Sequence, residues 1–312
     1  MARANPAAAQ NSNTQPGNLL DPAVIARFGS LELVTKQLMD GYVQGLHRSP
    51  HVGFALDFAQ HRQYVPGDDV KRLDWRVYAK ANRYYIKLYE VSTNLNAYII
   101  LDASGSMGYK GQNDPMSKFR YGQSVAAALA YLALHQQDSA GLITLQGGIT
   151  NFIPPRSTAG HLMHLISVLE SVTPENETPL SQLLHESAER IKRRGMVIII
   201  SDFFDKVEPL IHALHHLRHK RHDVVLMQVM SDDELTFPFR KWSRFENLER
   251  GDHRLRLDPA LVRAQYMQAV GAHIKRLRQA VNGMAATHVL MNTSQPFDGA
   301  LSQYLVHRMG RK

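Results

Sequence analysis

Residues 96–107 read NAYIILDASGSM. An apolar run of strand length ends in Asp102, and Ser104 and Ser106 follow at alternate positions. The run has no polar face, which predicts a strand over 96–102 buried on both sides. Alternate residues of an extended segment point the same way, so Asp102, Ser104 and Ser106 are set to offer three oxygens to one point. Ala103 and Gly105 keep the intervening backbone small. Ligands of open α/β sheets sit beyond the carboxyl ends of strands, near a reversal of strand order, and this stretch has such a position. A carboxylate with neutral hydroxyls suits a hard divalent cation, Mg²⁺ above all, which takes about six oxygens and commonly keeps water; Mn²⁺ and Ca²⁺ accept the same donors.

Outward from this stretch, apolar runs of strand length alternate with amphipathic helical ones. That rhythm predicts an α/β domain with a mostly parallel central sheet flanked by helices. Strands are expected over 139–145, 196–202, 223–230 and 287–294. A turn at 147 leads into a short edge strand that two prolines end at 155. Helices are expected over 118–137, 160–172, 179–194, 207–221, 260–281 and 301–309, with a hairpin over 244–259 turning at Arg250-Gly251-Asp252. Residues 19–95 break the rhythm and form a small N-terminal segment ahead of the domain at 96–312. Within it, Arg62, Asp68, Asp69, Arg72, Asp74 and Arg76 surround Pro66-Gly67, a mixed-sign cluster that reads as bracing for a turn. Residues 1–18, rich in Ala, Asn, Gln and Pro, cannot bury enough surface to fold and are expected to be a disordered tail.

Composition narrows the function. The 312 residues are 44% hydrophobic and 21% charged, the balance of a folded protein. No apolar run approaches the roughly 18 residues of a membrane span, which argues against an integral membrane protein. Zero cysteines removes thiolate nucleophiles and zinc–thiolate sites, and suits the cytoplasm. Lysine and arginine exceed aspartate and glutamate by 36 to 28, for a net charge of +8. No nucleic-acid module with a recognisable spacing accompanies that charge, so a solvated basic surface is the simpler reading than a nucleic-acid or anionic-lipid scaffold.

Three ligands leave an octahedron incomplete. Thr178, in the loop before a predicted helix, and Asp202, which ends the apolar run MVIIISD, are the next candidates. Asp-x-Ser-x-Ser after a strand, a later loop threonine and an aspartate ending another strand resemble the metal-ion-dependent adhesion site (MIDAS) of von Willebrand factor A domains. More narrowly, RQYVPGDDVKRLDW, YIKLYE, LDASGSM and IIISDFFD, in that order, resemble the MoxR-associated family known as domain of unknown function 58, over most of residues 40–310. The resemblance implies a von Willebrand factor A-like fold with Asp102, Ser104, Ser106, Thr178 and Asp202 as metal ligands, Asp202 acting through water. It also implies a protein-interaction role, with a MoxR-type AAA+ ATPase as partner supplying an acidic side chain to the metal, in assembly or maturation of other proteins.

A hydrolase using the same cation is the competing reading. Neither Ser104 nor Ser106 has glycine two residues away on both sides, as a hydrolase elbow requires. A haloacid-dehalogenase-type phosphatase needs a second aspartate where Ser104 stands, and there is no G-x-x-x-x-G-K-[ST] phosphate loop. The sequence therefore predicts a binding protein, not an enzyme. His212 and His216, like His215 and His219, lie one helical turn apart and could chelate zinc. Val207, Leu210, Ile211, Leu214 and Leu217 mark the opposite, buried face, so a solvated basic helix is expected there.

Overall fold

The computed structural model describes residues 31, 61–63, 84–87, 95–240, 242–246, 248 and 254–297. The chain divides into two compact units, Val43–Asn94 and the remainder. In the smaller unit, β1 (His61–Gln63) pairs antiparallel with β2 (Tyr85–Lys87), Arg62 opposite Ile86. The rest of the 62–76 charged cluster lies outside the described residues, as do the 1–18 tail, the Arg250-Gly251-Asp252 turn and the 301–309 helix.

The sheet of the larger unit is entered at β3 (Asn96–Asp102), buried from Ala97 onward as a continuous apolar run demands. It leads through a 3-10 turn at Gly105–Gly108 into α1 (Lys118–His135), β4 (Ser139–Leu145) and β5 (Ile149–Arg156). Then come α2 (His161–Ser171), α3 (Leu180–Arg190), β6 (Met196–Ser201), α4 (Val207–His219) and β7 (Asp223–Met230). Short α5 (Asp232–Thr236), the hairpin strands β8 (Ser243–Glu246) and β9 (Arg254–Leu257), α6 (Pro259–Gly283) and β10 (Thr287–Asn292) complete it.

Six strands form one sheet in the order β10-β7-β6-β3-β4-β5, parallel except for the β4–β5 pair. The expected α/β class with a mostly parallel sheet is therefore observed. The antiparallel edge differs in detail from expectation, because β5 continues through Pro154 and Pro155 to Arg156. Proline has no N–H to donate, and an edge strand has one side without a partner, so the prolines are tolerated; the register slips between Ala140 and Leu142 where they pass.

Alternation along the strands sends side chains to two helical layers. Tyr98, Ile100, Val197, Ile199, Val224 and Leu226 meet α3, α4 and α6 in one buried core. Leu101 and Ile200 point the other way, onto α1: a Cβ at Gly122 would stand 3.1 Å from Leu101 Cδ1 and 3.3 Å from Ile200 Cγ2. The chain leaves β3 toward β4 on one side and later leaves β6 toward β7 on the other. Strand order therefore reverses between β3 and β6, the position at which α/β sheets open a ligand crevice.

Candidate metal site

The parallel pairing of β3 with β6 matches Leu101 to Ile200, so the residues that follow, Asp102 and Ser201, end side by side. Ser201 Oγ donates to Asp102 Oδ2 at 2.6 Å, and Asp102 Oδ1 accepts the N–H of Ser104 at 2.9 Å. Ser104 Oγ lies 3.1 Å from Ser106 Oγ. Asp102, Ser104 and Asp202 are all buried, while Ser106 is half-buried. The three oxygens of the Asp-x-Ser-x-Ser stretch lie beyond the carboxyl end of β3, but the segment is not extended throughout: Ser106 lies within the 3-10 turn Gly105–Gly108, and that turn, not continued strand alternation, brings its hydroxyl to Ser104.

Asp202 lies one residue beyond β6. Its Oδ1 accepts the N–H of Phe204 at 3.2 Å and its Oδ2 accepts Lys118 Nζ at 2.8 Å. Phe203 between them has φ of 57°, the left-handed region that costs an L-residue about 1–2 kcal/mol. That turn is held from two sides: Phe203 N–H donates to Ser201 Oγ at 3.0 Å, and His273 Nε2 of α6 lies 3.0 Å from Phe203 O. Ser201 therefore ties the Asp102 carboxylate to the Asp202 turn with one hydroxyl.

Thr178 is connected less directly. Its loop is stitched to the Asp102 loop by Glu175 N–H to Ala103 O at 3.0 Å and Gly105 N–H to Asn176 O at 2.8 Å. The Thr178 hydroxyl itself accepts the N–H of Gly147, in the β4–β5 turn, at 3.1 Å. No hydrogen bond joins it to Asp102, Ser104, Ser106 or Asp202, whereas Asp102, Ser104 and Ser106 are linked by hydrogen bonds and Asp202 is tied to them through Ser201.

Three residues that spacing alone did not single out complete the electrostatics. Lys118, the first residue of α1, is fully buried and lies 2.8 Å from Asp202 Oδ2 and 2.7 Å from Glu234 Oε1. Burial alone would lower its pKa, but Asp202 and then Glu234 outweigh that and lift it to about 12. The carboxylate side of the pair fares differently: burial raises Glu234 despite the stabilising charge of Lys118. Ser201 is the third such residue. Asp102 itself is pushed up to about 7, first by burial and then by the neighbouring charge of Asp202, against the hydrogen bonds from Ser201 and Ser104.

This charge balance tests the fit of a cation. Asp102, Asp202 and Glu234 supply three carboxylates and Lys118 one ammonium, so full ionisation leaves two negative charges in excess in a buried region. A proton on Asp102 or a divalent cation beside it can offset that excess. The free donors are carboxylate and hydroxyl oxygens only, which match a hard cation of the Mg²⁺ type and offer nothing to a soft one.

A Mycobacterium bovis protein, "Uncharacterized protein Mb1516", is 25% identical over 296 residues, 94% of this chain and 92% of that protein. Among solved structures, the conserved hypothetical protein BatB from Bacteroides thetaiotaomicron is 16% identical with a TM-score of 0.47, over 69% of this chain and 99% of BatB. The SpRpn10 VWA domain is 10% identical with a TM-score of 0.39, over 68% of this chain and 95% of that domain. The family described as "Protein of unknown function DUF58" matches residues 60–276, from β1 into α6, and the chain belongs to that family.

Proposed function

We propose that the chain is a metal-dependent protein-interaction module in which Asp102, Ser104 and Ser106, with Asp202 acting through water and Thr178 at the same sheet edge, hold a divalent cation of the Mg²⁺ type. The observation that carries this reading is the pair of buried carboxylates, Asp102 and Asp202, at the ends of adjacent strands with one ammonium shared between Asp202 and Glu234. When bound, the cation would supply residual positive charge able to accept an acidic side chain from another protein. The chain's own residues set up that role. Ser201 and the Ser104 N–H hold the Asp102 carboxylate in place, leaving lone pairs for a further contact. Lys118 fixes the Asp202 carboxylate through an ion pair at 2.8 Å.

Binding is favoured over hydrolysis by the state of the serines. Ser104 and Ser106 hydroxyls bond to each other, Ser201 is committed to Asp102, and among the described residues no histidine is hydrogen-bonded to Ser104 or Ser106 as a base would be to its nucleophile. The resemblance to the MoxR-associated family puts a MoxR-type AAA+ ATPase first as the partner, acting in the cytoplasm on assembly or maturation of other proteins. Among the described residues no helix is long and apolar enough to cross a membrane. The test is capture of a purified MoxR-type ATPase by the immobilised full chain in Mg²⁺ and in EDTA. Capture should be lost with chelator and in Asp102→Ala. Capture that survives both would overturn the metal-mediated contact.

A further inference from the structure

The histidine-rich helix α4 does not lie alone in solvent. Val207, Leu210, Leu214 and Leu217 are buried as expected and Ile211 is half-buried, while Ala213 joins the buried face and His216 packs against α3. His185 Nδ1 of α3 and His216 Nδ1 of α4 are 3.0 Å apart, with ring centroids 5.2 Å apart and planes inclined by 38°. On the far side of the His216 ring, Nε2 lies 2.9 Å from Glu189 Oε1, one turn along α3 from His185. The other Glu189 oxygen takes Lys220 Nζ at 2.7 Å, and that ammonium also donates to Ala188 O. His212 stands one turn before His216 on α4 and is exposed. His185 is close enough to both that, after burial, His216 and His212 are the causes lowering its pKa.

This geometry assigns tautomers. A neutral imidazole carries one N–H, and the Glu189 carboxylate draws that proton to Nε2 of His216. The lone pair at His216 Nδ1 then faces His185 Nδ1, and a single proton is held between two nitrogens. Two imidazole nitrogens bound to one metal at about 2.0–2.1 Å stand about 2.9 Å apart at a right angle and about 3.3 Å apart at the tetrahedral angle. The observed 3.0 Å falls within that interval. The two nitrogens are therefore already spaced as in a two-imidazole chelate, and exchange of the shared proton for a metal ion requires both rings to turn their Nδ1 lone pairs off the line that joins them.

We propose that His185 and His216, completed by His212, form a surface site for a borderline transition-metal ion of the Zn²⁺ class, separate from the oxygen cluster. Imidazole donors select borderline ions, whereas the oxygen donors at Asp102 select hard ones. Among the described residues no three His, Cys, Asp or Glu side chains already converge on one point. The third donor is assigned to His212, which shares the His216 face of α4 at i, i+4 spacing and stands near enough to His185 to lower its pKa after burial and His216. Solvent takes the remaining position. Glu189 is the orienting partner that metal-bound imidazoles usually have. Because Lys220 neutralises Glu189, the site gains little from charge, and its affinity rests on the imidazole nitrogens.

The experiment is a zinc titration by calorimetry of the full chain, freed of metal with chelator and held in excess Mg²⁺ so that the oxygen cluster does not report. With 16 histidines in the chain, the comparison with variants is what decides. One Zn²⁺ should bind to the wild type. His185→Ala and His216→Ala should each weaken it at least 10-fold, and Glu189→Gln about 10-fold. His215→Ala and Asp102→Ala should leave it unchanged, so failure of this site and failure of the oxygen cluster are told apart. Zinc should also raise the thermal midpoint of the wild type and not that of the double variant His185→Gln/His216→Gln, and shift the Nδ1 resonances of His185 and His216. Absence of zinc uptake, or uptake equal in the wild type and the double variant, would overturn the proposal.

Discussion

An ammonium with no exposed surface persists at Lys118 because Asp202 and Glu234 each reach it within 2.8 Å. Such a triad gains little over an apolar core of the same shape, since desolvation offsets much of the attraction, but removing one member leaves buried charge without compensation. Lys118→Met should therefore destabilise the chain by about 3–5 kcal/mol, read as a lower urea midpoint with an unchanged slope. A midpoint within error of the wild type would show that Asp202 and Glu234 find other counter-charge. His288 makes the opposite choice and is kept neutral. Its Nε2 lies 3.0 Å from Gln228 Oε1, its Nδ1 is buried without a hydrogen bond, and burial, with Arg278 second, lowers its pKa to about 4. Between about 4 and 6.5 the unfolded chain binds a proton at this histidine that the folded chain refuses, so its contribution is full above about 6.5 and is lost as pH falls toward about 4. His288→Asn should flatten that limb: the stability difference between pH 7 and pH 5 should be smaller in the variant than in the wild type, and equal differences would discount His288.

At the scale of the element, the strand pairings depend on where backbone meets backbone. Gly195 enters β6 so close to β3 that a Cβ there would stand 2.1 Å from Asn96 O, and neither backbone can step aside without breaking the register that sets Asp102 beside Ser201. Gly195→Ala should cost about 3 kcal/mol by urea unfolding and weaken cation binding with it. Gly271 is the matched control. It lies in the interior of α6 with nothing within 4 Å of its Cβ position, so Gly271→Ala should stabilise by about 1 kcal/mol through helix propensity alone. The same contrast explains what was legible in the sequence. β3, β4, β6 and β7 are continuous apolar runs, and local patterning suffices to find them. Asp102, Ser104 and Ser106 were readable as oxygen-bearing residues directly after an apolar run, whereas the 3-10 turn that holds Ser106 was not. Lys118 was not, because it opens an amphipathic helix like any surface lysine and its partners lie 84 and 116 positions away. Ser201 was hidden at the end of an apolar run, its contact with Asp102 spanning 99 positions. His216 read as solvent-facing because its partner His185 belongs to a different helix, 31 positions earlier.

In the larger unit as a whole, the candidate metal site gathers loops that local sequence leaves independent. The loop after β3 carries Asp102, Ser104 and Ser106; the turn after β6 carries Asp202; the loop before α3 carries Thr178 and is bonded through its backbone to Ala103 and Gly105. Two of these segments follow different strands and the third joins α2 to α3, so an ion held by donors from all of them is bound by the folded chain and not by the unfolded one. Binding free energy is then stability, growing as RT ln(1 + [L]/Kd), about 2.7 kcal/mol when the cation stands at 100 times its Kd. For a unit of this size that corresponds to a thermal midpoint higher by about 5–10 °C. On the proposed function, Mg²⁺ titrated into chelator-treated protein should raise the midpoint by that order, with a continuing logarithmic rise at higher concentration. Asp102→Ala should abolish the response, and Thr178→Val should reduce it less, since the Thr178 hydroxyl is bonded to Gly147 and to none of the other candidate ligands. A midpoint indifferent to Mg²⁺, Mn²⁺ and Ca²⁺ in the wild type would overturn the metal site and leave the excess charge to be met by a proton on Asp102, whose pKa burial and then the charge of Asp202 raise.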